Sequence, residues 1–375
     1  MHLCMSFDRY EVSCMRQKPA IAALRSMRSA PPAAAPAVPV VARLSANENP
    51  LGPSPKAMAA AAAAIPTMHR YSDPNNTALR TALAAHFDLR PDMVLCANGS
   101  DELILLIALA YLEPGDEVVM ADGTFVSYVM RTGMMAATQK KIPLRNGAHD
   151  LAAMAAAITP KTRMVLICNP NNPTGATNGA AEMHQLLAAV PDDVLIVVDE
   201  AYIEYATRAD FPDMISELRG GRANMIVLRT YAKIYGMAGL RLGYALGDPA
   251  VLDYLSKTRP VFDVNALAAV AGIAALSDTE HLEASRTQAA EARDLYVERL
   301  TALGLTPYPS ETNFIAVPLP AGVSDAAVVA AMAARGIAIN ALGAWGLPGV
   351  LRISFGTPAE NMLCLDALRD ILAAQ

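Results

Sequence analysis

The sequence predicts an α/β protein: a mostly parallel sheet sandwiched by helices, followed by a smaller α+β domain. Three observations carry this expectation. From Met93 onward, short apolar runs rich in branched residues alternate with segments of helical period. The connections between them are short, as in repeated β-α units. A chain of 375 residues also exceeds the usual size of one core, so a second, smaller unit is expected.

Composition narrows the function classes. Apolar residues make up 53% of the chain and charged residues 18%, enough to bury a substantial core. The formal charge of −6 gives no electrostatic reason to expect nucleic acid or an anionic membrane as partner. Five cysteines (Cys4, Cys14, Cys96, Cys168 and Cys364) are scattered without a C-x-x-C pair, the usage of reduced thiols in a cytoplasmic protein. Cys96 and Cys168 fall in expected strands and read as buried, inert thiols. The six histidines show no metal-ligand spacing, so no metal site is expected. No apolar run reaches about 18 residues, so no membrane span is expected. Asp8, Arg9 and Glu11 stand where a secretory signal would need its apolar region.

Taken in order, residues 1–17 read as poorly specified, and Lys18 to Arg28 as a helix stopped by a proline-rich connector. The alanine run Ala57–Ala64 is a helix ended by Pro66, and Thr77–His86 another. Strands are expected at Met93–Ala97, Glu117–Met120, Gln139–Pro143, Arg163–Cys168, Val194–Val198, Met225–Leu228 and Gly243–Leu246. The helices between them are Asp101–Leu112, Phe125–Met135, Leu151–Ala157 and Ala180–Val190, with Asp248–Lys257 after the last strand. A long amphipathic region, Ala266–Leu303, then leads to the smaller domain. That domain holds strands at Asn313–Val317, Ile337–Ile339 and Leu351–Ser354, and helices at Asp325–Arg335 and Ala359–Leu372. The domains are set at 1–44 (an N-terminal segment, partly disordered and packed on the small domain), 45–258 and 259–375.

Open α/β sheets bind ligands beyond the carboxyl ends of their parallel strands. The Met93 strand delivers Asn98-Gly99-Ser100-Asp101 at a helix start, which reads either as a phosphate cradle or as a simple N-cap. The Arg163 strand delivers Asn169-Pro170-Asn171-Asn172-Pro173, a loop whose prolines hold an amide rigidly or simply stiffen a turn. The Val194 strand delivers Asp199 and Tyr202, and a carboxylate ending an apolar strand is costly to bury without a cation. The Met225 strand delivers Thr230, Lys233 and Arg241. A phosphate cradle, an acid, a phenol, an amide and a lysine together match pyridoxal 5′-phosphate, whose aldehyde a lysine captures and whose pyridine nitrogen an acid keeps protonated.

Asn47-Glu48-Asn49-Pro50, Arg70-Tyr71, Asn98 to Glu102, Asn169 to Gly175, Val198 to Tyr202, the stretch around Lys233 and Leu351-Arg352-Ile353-Ser354 resemble fold-type I aminotransferases. Order and spacing are similar to the histidinol-phosphate aminotransferase branch from about residue 44 to the C-terminus. The resemblance implies that Lys233 binds the cofactor and moves the substrate's proton. It implies that Asp199 pairs with the pyridine nitrogen while Tyr202 and Asn172 hold the phenolic oxygen. Gly99, Ser100, Asp101, Thr230 and Arg241 would hold the phosphate, and Phe125 would stack on the ring. Tyr71 would reach a phosphate in the partner of a homodimer. Arg352 would grip the substrate's acidic end, a task suited to a bidentate guanidinium. Asn47, Asn340 and Trp345 complete the candidate substrate set, with Trp345 divided between a pocket role and a packing role.

The chain also departs from that branch. Ala232 replaces a serine, Gly123 a proline, and Asn340 the second arginine that meets a substrate phosphate. The tyrosine-proline-glycine of the N-terminal region is absent near Met27 to Pro31. Losing a charged partner of a buried anion costs a few kcal/mol, about 2–5, which weakens histidinol phosphate and favours an aromatic or specialised amino acid. The expected function is exchange of an amino group between an amine or amino acid and a 2-oxo acid. The alternatives are a lyase, decarboxylase or cyclase using the same cofactor, and a non-catalytic sensor.

Overall fold

The structure is a computed structural model that describes residues 17–24 and 38–374. Helix α1 (Pro19–Ala22) and strand β1 (Ala42–Arg43) precede α2 (Pro55–Ala64) and α3 (Thr77–Phe87). Then come β2 (Val94–Ala97), α4 (Ser100–Tyr111), β3 (Glu117–Asp122), α5 (Val126–Met134), β4 (Thr138–Pro143) and α6 (Leu151–Ala156). They are followed by β5 (Thr162–Cys168), α7 (Ala180–Ala189), β6 (Leu195–Asp199), α8 (Met214–Arg219), β7 (Met225–Thr230) and β8 (Gly243–Gly247). Next are α9 (Pro249–Ser256), α10 (Ala266–Ala275), α11 (Thr279–Ala302), β9 (Phe314–Pro318) and α12 (Asp325–Ala333). The chain closes with β10 (Ile337–Ala338), β11 (Asn340–Ala341), β12 (Val350–Ser354) and α13 (Pro358–Ala373).

Seven strands form one sheet in the order β2-β8-β7-β6-β5-β3-β4. Strand β8 runs antiparallel to both its neighbours, and the remaining pairs are parallel. Six strands therefore point their carboxyl ends the same way. Strand β6 is buried along its whole length, as expected for a central strand covered by helices on both faces. Helices end where their chemistry dictates: Asp150 accepts from Ala153 N at the start of α6, and Thr357 and Glu360 form a capping box ahead of α13.

A three-stranded antiparallel sheet, β11-β12-β9, and the parallel pair β1-β10 make up the rest. Within the region Ala266–Leu303 the chain forms two helices, and between them Asp278 accepts hydrogen bonds from Ser54 Oγ at 2.5 Å and Lys56 N at 3.3 Å. One expectation is corrected here. The Ile337–Ile339 strand is split: β10 pairs with β1, and after Ile339 the chain crosses to pair β11 with β12. Of the expected Lys18–Arg28 helix only Pro19–Ala22 is helical within the described residues, and residues 1–16 and 25–37 lie outside them.

Candidate active site

The carboxyl ends of β2, β5, β6 and β7 converge on one cavity. It is lined by Ser100 and Asp101 after β2, by Asn172 after β5 and by Tyr202 after β6. Cys168 and Asp199, which end β5 and β6, line it too, as do Thr230, Lys233 and Arg241 from β7 and its loop. Phe125, in the turn after β3, joins them. Each group is fixed by the last residues of a hydrogen-bonded strand, which is why contacts so far apart in sequence share one space.

Asp199 is 3% exposed. Its carboxylate accepts from Tyr128 Oη at 2.7 Å and from Ala201 N at 3.1 Å. Among the described residues no cation lies within ion-pair distance of it, whereas the adjacent Glu200 pairs with Arg229 at 2.8 Å. Burial therefore pushes Asp199 up to about 6, against the hydrogen bonds that hold it down. Lys233 is partly buried, with Nζ 3.4 Å from the carbonyls of Ala46 and Asn47. Burial, and then the charge of Arg352, lower its amine to about 8. A lysine so depressed is neutral in a useful fraction near neutral pH, the state a nucleophilic amine needs. Nζ also lies 5.4 Å from the centre of the Tyr202 ring. The Tyr202 hydroxyl accepts from Asn47 Nδ2 at 2.9 Å, and its ring meets Phe314 edge-on.

The other end of the cavity is built for an anion. Helix α4 begins at Ser100, after Gly99 at φ +94°, and its first N–H groups have no partner inside the helix. A side chain at Gly99 would lie 2.8 Å from Arg241 Nη2, and one at Gly243 would lie 2.4 Å from Ser100 N. Only glycines leave that cradle open. Arg241 itself has φ +56° and donates to Ala238 O at 3.1 Å. Thr230 Oγ1 accepts from Ala232 N at 3.1 Å. The Asp101 carboxylate is occupied by Arg131 at 2.7 Å and by the Ser127 hydroxyl. It offers an anion its main-chain N–H and no side-chain donor.

Arg352 stands on β12, 6% exposed, with its guanidinium over the rings of Phe314 and Trp345, 5.5 Å from each centre. Nη1 donates to Asn172 Oδ1 at 2.7 Å and Nη2 to Ser45 O at 2.8 Å, while Nε has no partner among the described residues. Asn340 faces Arg352 across the β11–β12 ladder and donates to the same Ser45 carbonyl at 2.5 Å. Asn340 is thus a brace for the Arg352 neighbourhood and brings no charge. Trp345 packs with Leu347 and Tyr308 against the core of the three-stranded sheet. Leu347 also fills the space above Gly123, where a Cβ would meet its Cδ2 at 3.0 Å. A proline in place of Gly123 would compete for that room.

Tyr71 lies apart. It is 84% exposed and stacked on Phe262 with ring centres 4.5 Å apart, and it does not line the cavity of its own chain. Two buried residues near the site, Tyr128 and Asn313, escape sequence reasoning, and a third, Ser354, is marked there only as part of its motif. Tyr128 holds Asp199. Ser354 Oγ donates to Asn47 Oδ1 at 2.7 Å, and Asn313 Nδ2 donates to Asn47 O at 3.0 Å. Tyr128 carries a weak signal, lying three residues after Phe125 on the same helix face; Ser354 carries its place in the Leu351–Ser354 motif, and Asn313 carries none.

The fold and this strand-end cavity define an aminotransferase. Residues 39–368 match the family described as aminotransferase class I and II, and the chain belongs to it. The chain is 43% identical over 333 residues to the histidinol-phosphate aminotransferase of Moorella thermoacetica, covering 89% of this chain and 86% of that one. Histidinol-phosphate aminotransferase 2 of Pseudomonas fluorescens is 42% identical over 333 residues, 89% of each chain. Among solved structures, histidinol-phosphate aminotransferase from Sinorhizobium meliloti, in complex with pyridoxal 5′-phosphate, superposes with a TM-score of 0.85 at 30% identity, covering 96% of this chain and 98% of that one. A Thermus thermophilus aspartate aminotransferase variant shares the fold, with a TM-score of 0.80 at 22% identity, covering 95% of this chain and 99% of that one.

Proposed function

We propose that the cavity holds pyridoxal 5′-phosphate and that the enzyme transfers amino groups between an amino donor and a 2-oxo acid with it. The observation that carries this reading is Asp199, a buried carboxylate facing the cavity without a cation. A protonated pyridine nitrogen would supply the missing charge. The donor set fits the rest of the group: the α4 N-terminus, Ser100, Thr230 and Arg241 for the phosphate, and Tyr202 and Asn172 for the phenolic oxygen. Phe125 would lie against the ring.

Bound there, the cofactor supplies an electron-withdrawing ring conjugated to the substrate nitrogen. The protein supplies everything else. Lys233 Nζ would hold the cofactor aldehyde, and its amine would be the base that moves the proton at the substrate Cα. Its lowered basicity suits both tasks. Asp199, held by Tyr128, would keep the ring nitrogen cationic. Arg352, braced by Ser45 and Asn340 and stacked over two rings, orients the substrate's acidic end. To receive a carboxylate it offers Nε and exchanges a carbonyl or amide partner.

The relatives' names support histidinol phosphate as the first amino donor to try. One observation favours a second reading, an aromatic amino acid: Asn340 brings no positive charge and is spent on Ser45 O. The same proposal makes residues 45–258 the cofactor-holding domain and 259–375 the smaller one, on which the segment before residue 45 packs through the β1–β10 pair. It places the enzyme in the cytoplasm as a homodimer in which Tyr71 serves the partner's site. The test is a screen of donors against 2-oxoglutarate, following both product and the cofactor spectrum. Conversion of the cofactor to its amine form with turnover is expected, and turnover without that form would refute transamination. A strong preference for histidinol phosphate would remove the aromatic reading.

A further inference from the structure

We propose that His149, outside the cofactor cavity, is a positioning residue: through Asn171 it sets the turn that carries Phe125 and Tyr128 to that cavity. The inference rests on the cofactor reading above and deepens it.

His149 lies in the loop before α6 and is 1% exposed. Its Nε2 is 3.1 Å from Asn171 Oδ1, which also accepts from Thr124 Oγ1 at 2.9 Å. The Asn171 amide nitrogen donates to Gly123 O at 3.1 Å and to Thr174 Oγ1 at 2.9 Å. Thr174 Oγ1 in turn donates to Gly147 O at 2.6 Å. Because a main-chain carbonyl can only accept, Gly123 O fixes which end of the Asn171 amide is nitrogen. The other end is then an acceptor with two donors, so His149 carries its proton on Nε2. Nδ1 is buried without a partner among the described residues. Burial holds the imidazole down to about 4, so it stays neutral in this role across the working range.

The network ties three loops beyond the sheet: 123–124, 147–149 and 171–174. Two of them adjoin the cavity. Phe125 follows Thr124 directly, and Tyr128 one turn later is the hydroxyl on Asp199. Asn172, next to Asn171, lines the cavity and receives Arg352. The turn at Gly123, φ +89°, is boxed by Leu144 and Leu347 on its other side. Asn171 therefore holds the turn from one side only, and His149 supplies one of the two donors that hold Asn171. No contact of His149 with substrate or cofactor is implied.

The test compares His149→Ala, His149→Gln and Thr124→Val, the last removing the other donor on Asn171 Oδ1 while leaving the imidazole in place. The first readout needs no cofactor: amide hydrogen exchange over residues 123–128 in the apo protein. Exchange there should rise about tenfold in His149→Ala and fall back in His149→Gln, whose amide can donate to Asn171. The second is kcat per cofactor-loaded site, expected to fall about tenfold with KM for the 2-oxo acid changed less than about twofold, a loss of alignment and not of binding. Thr124→Val should lower kcat in the same direction. Glutamine behaving no better than alanine would overturn the proposal, as would unchanged exchange and kcat in folded protein. If wild-type protein takes up no pyridoxal 5′-phosphate, the cofactor reading fails, while the exchange result still decides the role of His149 in holding the turn.

Discussion

The strand-end cavity and the β11–β12 corner hold their charged groups in opposite conditions. In the cavity, Asp199 lacks a cation and is pushed up to about 6, and Lys233 is drawn down to about 8. At the corner, Arg352 has two nitrogens already engaged, two rings against it, and Asn340 bracing the same carbonyl. The cavity is short of partners and gains them when a ligand arrives. The corner is nearly satisfied and must give up a contact to accept one. Tight cofactor retention suits the first condition, and exchange of successive substrates suits the second.

Lys233→Ala tests the cavity most severely. Activity should fall by ~10³-fold or more, with the lysine-linked cofactor band absent from the spectrum. Asp199→Asn comes next, with turnover reduced ~10²-fold or more as a preorganised charge is lost. The same variant yields an opposite result in the apo protein. A carboxyl whose folded value is raised above its unfolded one contributes stability below the unfolded value and loses it as pH rises through the folded value. Apo wild type should thus weaken between about pH 4 and 6, and Asp199→Asn should not. At pH 8 the variant should be the more stable apo protein by on the order of 1–3 kcal/mol in denaturant titrations. A variant that is less stable there would end the idea of a cavity short of a cation.

At the corner, Arg352→Lys should lower kcat/KM for the 2-oxo acid about 100-fold, since an ammonium reproduces neither the fork nor the stacking. Asn340→Arg asks whether the corner can be recharged. It should raise kcat/KM for histidinol phosphate relative to tyrosine about tenfold, and no change in that ratio would show that residue 340 does not face the substrate. The smallest effect concerns the interface. Mixing Tyr71→Phe subunits with Lys233→Ala subunits should restore activity about twofold or more over the unmixed Tyr71→Phe enzyme, because one site of each mixed dimer would have both native residues. Activity that stays at the average of the two parents would remove Tyr71 from the partner's site.

The cavity was legible in the sequence because parallel strands deliver their terminal residues to one edge whatever the order of the strands. The polar residues just beyond each apolar run therefore include Asn172, Asp199, Tyr202, Thr230 and Lys233, all of which line the cavity. Tyr128 was missed because its hydroxyl matters through a tertiary contact with Asp199 that helical spacing does not encode. The division of the Ala266–Leu303 region at Asp278 has no local sign, since the partner that Asp278 meets there, Ser54, is 224 residues away. Asn340 was identified as a lost charge, but its brace on Ser45 depends on a strand switching sheets after Ile339, which no local pattern announces. Asp101 was placed on the phosphate by position, whereas its carboxylate belongs to Arg131 and Ser127.

Asn47 binds the two ends of the chain into one object. Its backbone and side chain meet Ser354, 307 residues later, along with Tyr202, Lys233 and Asn313. A nascent chain emerging from the ribosome can build much of the seven-stranded sheet before β12 has been synthesised, yet Asn47, whose carbonyl meets Lys233 Nζ, lacks its Ser354 partner until then. Contacts of such long range form last. Cofactor capture should accordingly be a post-translational event, and chains stalled before Ser354 should be apoprotein however much of the sheet they have folded.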